Sequence, residues 1–128
     1  MSYFIGKQIL IIDNDDAICE LARWCLEVVP DWQVLAAHSG KEGLARADAE
    51  RPDAILLDVM MPDVDGPAVL QALLANPATR SIPVVFLTGD VPPVDRRGFA
   101  NLGAEAVIPK PFEPLRLAKQ VAAILGWK

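Results

Sequence analysis

The chain has 128 residues, 52% of them hydrophobic and 23% charged, with a formal net charge of −5. That size allows one ordinary hydrophobic core and needs no metal or disulfide merely to fold, and the composition excludes disorder. Its longest apolar runs fall far below the ~20 residues that span a bilayer, the first residues lack a secretory core, and its 12 Lys and Arg are scattered, which argues against direct nucleic-acid binding; a soluble cytoplasmic protein with no membrane contact is expected.

Ile9 to Ile12 reads as a buried strand. Ile18, Leu21, Ala22, Cys25, Leu26 and Val29 then form one helical stripe that Pro30 ends. Gln33 to Ala37 is the second strand, and Ser39 stands three residues before Glu42, the spacing of a capping box. The helix that follows runs to about Glu50. Asp53 to Leu57 gives the third strand, and Pro67 sits where a first-turn proline belongs, ahead of a Val69, Leu70, Leu73, Leu74 stripe that stops near Asn76. Val84 to Leu87 is the fourth strand. A short, labile fourth helix is predicted from Pro92 and Pro93 to Leu102, with Gly103 taking a left-handed cap. Ala106 to Ile108 is the last strand, and Leu115, Ala118, Val121, Ala122 and Leu125 are read as one face of a closing helix that Gly126 terminates.

Continuous apolar strands imply burial on both faces, and strands joined through helices run parallel. The expected architecture is therefore a flavodoxin-like, doubly wound α/β/α sandwich with five parallel strands in the order 2-1-3-4-5. Cys19 and Cys25 lie about 240° apart on the first helix, a poor geometry for a bridge, so both are expected as packed thiols. His38 is the only histidine, which leaves little for a zinc site or a catalytic triad.

In such sheets ligands bind beyond the carboxyl ends of the strands. Those ends carry Asp13, Asn14, Asp15 and Asp16 after the first strand, Asp58 after the third, Thr88 after the fourth and Lys110 after the fifth. Asp15 or Asp16 serves as a helix cap. A carboxylate at Asp58 facing the acids of the first strand needs a cation nearby. Oxygen ligands without imidazole or thiolate select a hard divalent ion, and a site with few protein ligands suits Mg²⁺ and phosphate. A carboxylate can carry an acyl phosphate while an ammonium and a hydroxyl contact its oxygens.

Over essentially its whole length the chain resembles the receiver domain of two-component response regulators. The resemblance rests on Ile11, Ile12 and Asp13, the run from Ile55 to Gly66, the Phe86, Leu87, Thr88 ending and the Lys110, Pro111, Phe112 turn. It implies that Asp58 is the phosphoacceptor, that Thr88 is the switch hydroxyl and that Lys110 contacts the phosphate. It also implies that Asp13, Asn14, Asp58 and the Met60 carbonyl hold Mg²⁺, and that the Lys110–Pro111 peptide is cis. Asn14 replaces the usual second aspartate of the acidic pair, so metal affinity is expected to fall, with Asp15 an outer contributor at most. Val107 stands where many receivers have an aromatic, so activation is expected to be read through residues Gly89 to Asp95 and the fourth helix; Asp90 and Met60 occupy positions that tune hydrolysis of the acyl phosphate.

The implied partners are a sensor histidine kinase or histidine phosphotransfer protein and an unnamed downstream protein; a homodimer is left open. Because the sequence ends at Lys128, just after the last predicted helix, residues 1–128 are expected to form one receiver domain without an attached output or separate small-molecule turnover, either a stand-alone regulator or a receiver cut from a longer regulator or hybrid kinase. Two other readings stand beside this one: a pseudo-receiver that binds partners without phosphorylation, and an aspartyl-phosphate hydrolase, which normally needs an aspartate where this chain has Met60.

Overall fold

A computed structural model describes residues 6–89, 98 and 101–127. Its sheet consists of five parallel strands, β1 (Lys7–Ile12), β2 (Trp32–Ala37), β3 (Ala54–Asp58), β4 (Val84–Thr88) and β5 (Ala106–Pro109), in the order β2-β1-β3-β4-β5. The helices are α1 (Asp16–Glu27), α2 (Gly40–Glu50), α3 (Gly66–Ala75) and the closing helix α4 (Leu117–Leu125). The predicted strand order is the one observed.

Side chains alternate across each strand, and in the central strands both sets are apolar. Ile9, Ile11, Leu56, Val85 and Leu87 join Cys19, Ala22, Leu26, Leu117 and Val121 in one core beneath α1 and α4. Leu10, Ile12, Ile55, Leu57, Val84 and Phe86 face the other way, against Val69, Leu70 and Leu73 of α3 and Ala47 of α2. This two-sided burial is why the strands read as unbroken apolar runs. Asp15 caps α1 by accepting from the Ala17 and Ile18 amides, Ser39 caps α2 by accepting from the Glu42 amide, and Asp65 caps α3 ahead of Pro67. Gly126 ends α4 in the left-handed region at φ 70°, and Gly103 also has positive φ, 112°.

Two apolar assignments need correction. Leu115 lies outside α4 and is 95% exposed, because the segment from Glu113 forms a turn whose carbonyl accepts from the Arg116 and Leu117 amides, and the helix proper starts only at Leu117. Leu21 is also exposed; Cys19 takes the buried place on α1 that the stripe gave to Leu21. The predicted fourth helix from Pro92 and most of the Gly89 to Asp95 loop, Asp90 included, fall outside the described residues. Among the described residues no helix is long and apolar enough to cross a membrane.

Candidate functional site

Strand register assembles the site. Ile12 is abreast of Leu57, so Asp13, one step beyond β1, comes alongside Asp58 at the end of β3. Asp58 is abreast of Leu87, and Thr88 of Pro109, the residue before Lys110. The ladder continues past the strand ends, with the Asp13 amide donating to the Ala37 carbonyl, Val59 to Leu87 and Lys110 to Thr88. The turn after Asp58 folds back closely: a Cβ at Gly66 would lie 2.7 Å from both the Asp58 carbonyl oxygen and the Val59 Cα, so only glycine fits there.

Residues 97 and 52 positions apart meet through one ammonium. Lys110 Nζ donates to Asp13 Oδ2 at 2.8 Å and to Asp58 Oδ1 at 3.0 Å. The side chains of Asp13, Asp58 and Lys110 are 1%, 7% and 19% exposed, so two carboxylates share one cation in a poorly solvated pocket with an excess negative charge. Burial raises the Asp58 pKa above the ordinary carboxylate value; the Lys110 hydrogen bond opposes this and neighbouring Asp13 adds to it. For Lys110 burial pulls downward, but the hydrogen bonds it donates to both acids, with their negative charges, outweigh it and the ammonium is held above its usual range. The second Asp13 oxygen accepts from the Asp15 amide at 2.9 Å.

Thr88 is buried at the end of β4, at the same sheet edge. Asn14 is exposed in the turn after Asp13, and Met60 is 78% exposed, while its backbone N–H donates to the Asp58 carboxylate. The Asp15 carboxylate is engaged as the α1 cap. Val107 is half-buried against the core on the α2 and α3 side, and the Lys110–Pro111 peptide is cis. Among the described residues no three His, Cys, Asp or Glu side chains gather as a ready metal cluster. An ion here would rest on two acids, a neutral amide, a backbone carbonyl and water, a hard-oxygen set that fits Mg²⁺.

Several features escaped sequence reasoning. The need for a cation beside Asp58 is legible in the sequence, but not that the Lys110 ammonium binds Asp13 as well. Asp63, in the loop after Asp58, accepts from the Gly40 and Lys41 amides, tying that loop to the start of α2; those bonds lower its pKa. An aspartate opposite a helix N-terminus is the available signal, but it lies 23 residues away in sequence. His38 pairs with Asp16 at 3.0 Å, and buried Cys19 donates to the Asp13 carbonyl. Burial, with Asp13 nearby, pushes the Cys19 thiol up to about 12.

Comparison with known proteins gives a consistent picture. The family described as the response regulator receiver domain matches residues 9–122. The alkaline phosphatase synthesis transcriptional regulatory protein of Bacillus subtilis is 35% identical over 121 residues, covering 94% of this chain and 49% of that protein. The DNA-binding dual master transcriptional regulator of Synechocystis is 38% identical over 118 residues, covering 92% and 48% respectively; the chain thus spans about half the length of the curated relatives it matches. Among solved structures, a putative response regulator from Chloroflexus aurantiacus superposes with TM-score 0.86 at 30% identity, covering 94% of this chain and 98% of that one. A chemotaxis response regulator of Vibrio cholerae also gives TM-score 0.86, at 27% identity, covering 93% and 98%.

Proposed function

The chain belongs to the receiver domains of response regulators, phosphorylation-dependent signalling switches, and from that premise we propose that Asp58 is its phosphoacceptor and that residues 1–128 act as one receiver unit. The reading rests on one observation above the others: a buried carboxylate at a strand end shares the Lys110 ammonium with Asp13.

An Asp58 carboxylate oxygen attacks the phosphorus of a phosphohistidine, carried by a sensor histidine kinase or phosphotransfer protein, or of a small phosphodonor. With phosphohistidine the phosphorus–nitrogen bond breaks as the acyl phosphate forms and the released imidazole takes a proton from solvent; with acetyl phosphate the phosphorus–oxygen bond breaks and acetate leaves. Lys110 stays protonated throughout and is placed to offset charge on a nonbridging phosphoryl oxygen. Asp13, Asn14, Asp58 and the Met60 carbonyl would hold Mg²⁺, which when bound supplies further charge compensation at the transferring group. The Thr88 hydroxyl donates to the product phosphate in one arrangement of its loop, so phosphorylation shifts the population toward that arrangement. Signal output then goes through a protein partner in the cytoplasm. Hydrolase chemistry is not supported: the Met60 thioether, two residues after Asp58, cannot act as a general acid or base.

Intact-mass measurement after treatment with acetyl phosphate and Mg²⁺ tests this reading. One added phosphoryl group is expected in the wild type and none in Asp58→Asn. A wild type left unmodified, and equally unresponsive to beryllofluoride, would identify a phosphorylation-independent interaction module, the alternative that the neutral Asn14 favours.

A further inference from the structure

Between Asp58 and α3 runs the stretch that carries Met60, whose amide donates to the Asp58 carboxylate and whose carbonyl would hold Mg²⁺ in the function proposed above. The main chain fixes both ends of this stretch. The Val59 amide donates to the Leu87 carbonyl at 3.1 Å, and the Gly66 amide turns back to the Val59 carbonyl at 2.8 Å. Among the described residues no backbone–backbone hydrogen bond ties residues 60–64 to another element. Side chains therefore set their position.

Met61 is buried, and Val64 packs against the same core, on the α2 and α3 side of the sheet. The polar anchor is Asp63. Its Oδ1 accepts from the Gly40 amide and its Oδ2 from the Lys41 amide, each at 3.1 Å. Engaging both oxygens fixes the plane of the carboxylate as well as its place. The amides belong to the first turn of α2, where no intrahelical acceptor exists. Packing clamps the same spot, since a Cβ on Gly40 would lie 2.9 Å from the Val64 Cβ. Because Ser39 already caps α2 by accepting from the Glu42 amide, a second cap delivered from 23 residues away secures the loop rather than the helix. A carbonyl ligand that is ordered before its ion arrives spares the ordering cost that would otherwise weaken binding.

We propose that Asp63 is a positioning residue for the ion site: by clamping the loop to the start of α2, three residues beyond Met60, it holds the Met60 peptide in the orientation that Mg²⁺ binding needs. The inference rests on the reading of Asp13, Asp58 and Met60 given above, and it assigns Asp63 no contact with the ion.

Two measurements on the 128-residue chain test it: Mg²⁺ titration without phosphodonor, followed by amide shifts, and phosphoryl uptake from acetyl phosphate across Mg²⁺ concentrations. Removing a group that orients a metal ligand typically costs roughly 10- to 100-fold in affinity. Asp63→Ala should therefore weaken Mg²⁺ about tenfold in the shift titration and raise the Mg²⁺ needed for half-maximal uptake by the same factor. The uptake rate at saturating Mg²⁺ should change less than about twofold. Asp63→Asn keeps one acceptor oxygen without the charge and should fall between wild type and Asp63→Ala. A charge acting through solvent is screened by salt, so the loss in Asp63→Ala should persist in about 0.5 M KCl. A loss that vanishes in salt, or an Asp63→Asn as weak as Asp63→Ala, would assign the effect to charge alone and overturn the tether. A wild type that neither binds Mg²⁺ nor takes up phosphate overturns the reading of Asp58 and this inference together. Normal wild-type behaviour with Asp63→Ala unaltered overturns this inference alone.

Discussion

Replacing Lys110 with methionine keeps the aliphatic stem and removes the ammonium that Asp13 and Asp58 share. The two carboxylates, 1% and 7% exposed, are then left in a poorly solvated pocket with no counter-charge. Breaking a buried ion pair by deleting one partner typically costs about 3–5 kcal/mol. A 128-residue domain holds roughly 6–19 kcal/mol in total, so the loss is large but need not unfold the chain. With a urea slope of roughly 1–3 kcal/mol per molar, the unfolding midpoint should fall by about 2 M at pH 7 without divalent ions. The pH dependence follows from the acids. The folded-state pKa of Asp58 is already raised by burial, and removing Lys110 raises it further. An acid of raised pKa binds its proton more tightly when folded, so its penalty grows as pH climbs through the window between the ordinary and the raised value. The midpoint gap between wild type and variant should therefore narrow as pH falls from 7 toward 4. Urea titrations at several pH values, followed by circular dichroism, measure this. A gap below about 0.5 M at pH 7, or one that does not change with pH, would refute the claim that the ammonium offsets two buried charges.

Asn14→Asp adds a negative charge beside Asp13 and should tighten Mg²⁺ binding by roughly 3- to 30-fold, as for an exposed charge near a divalent ion; Trp or amide-shift titration with Mg²⁺ checks it. Gly66→Ala forces a Cβ to within 2.7 Å of the Asp58 carbonyl oxygen and the Val59 Cα, and should cost roughly 1–3 kcal/mol in thermal or urea unfolding while slowing phosphoryl uptake at Asp58. The Cys19 thiol, pushed up to about 12 by burial, should resist alkylation at pH 8 in the folded chain and react promptly in urea; peptide mapping separates it from Cys25. Asp63→Ala removes the acceptor for the Gly40 and Lys41 amides. Those two amides should exchange faster with solvent, and wild type should lose the same protection as pH falls through the lowered pKa of Asp63.

The fold was legible because its central strands are apolar on both faces. Leu10 and Ile11 lie on opposite sides of the sheet yet are both fully buried, so the run could only be a covered parallel strand. The site was legible for a related reason: each strand ends abruptly in a polar residue, and parallel strands deliver their ends to one edge. Periodicity failed at Leu115, where spacings of three and seven residues to Ala118 and Ala122 invited a helical reading although the chain there is a turn. Contacts between distant side chains were beyond such reading. Nothing local in Asp63 or Lys110 states that one reaches the start of α2 and the other bridges two acids, since both outcomes depend on how separate loops pack.

The bridging lysine follows the last strand to be made. Among the described residues β5 is an edge strand that pairs with β4 alone, so the lysine that balances two acids hangs from the margin of the sheet. Contacts spanning 97 and 52 positions each require a long loop to close, which costs chain entropy. Docking of that outermost strand therefore completes the charge balance of the pocket and closes the sheet in one event. Displacing β5 would therefore separate the ammonium from both carboxylates at once.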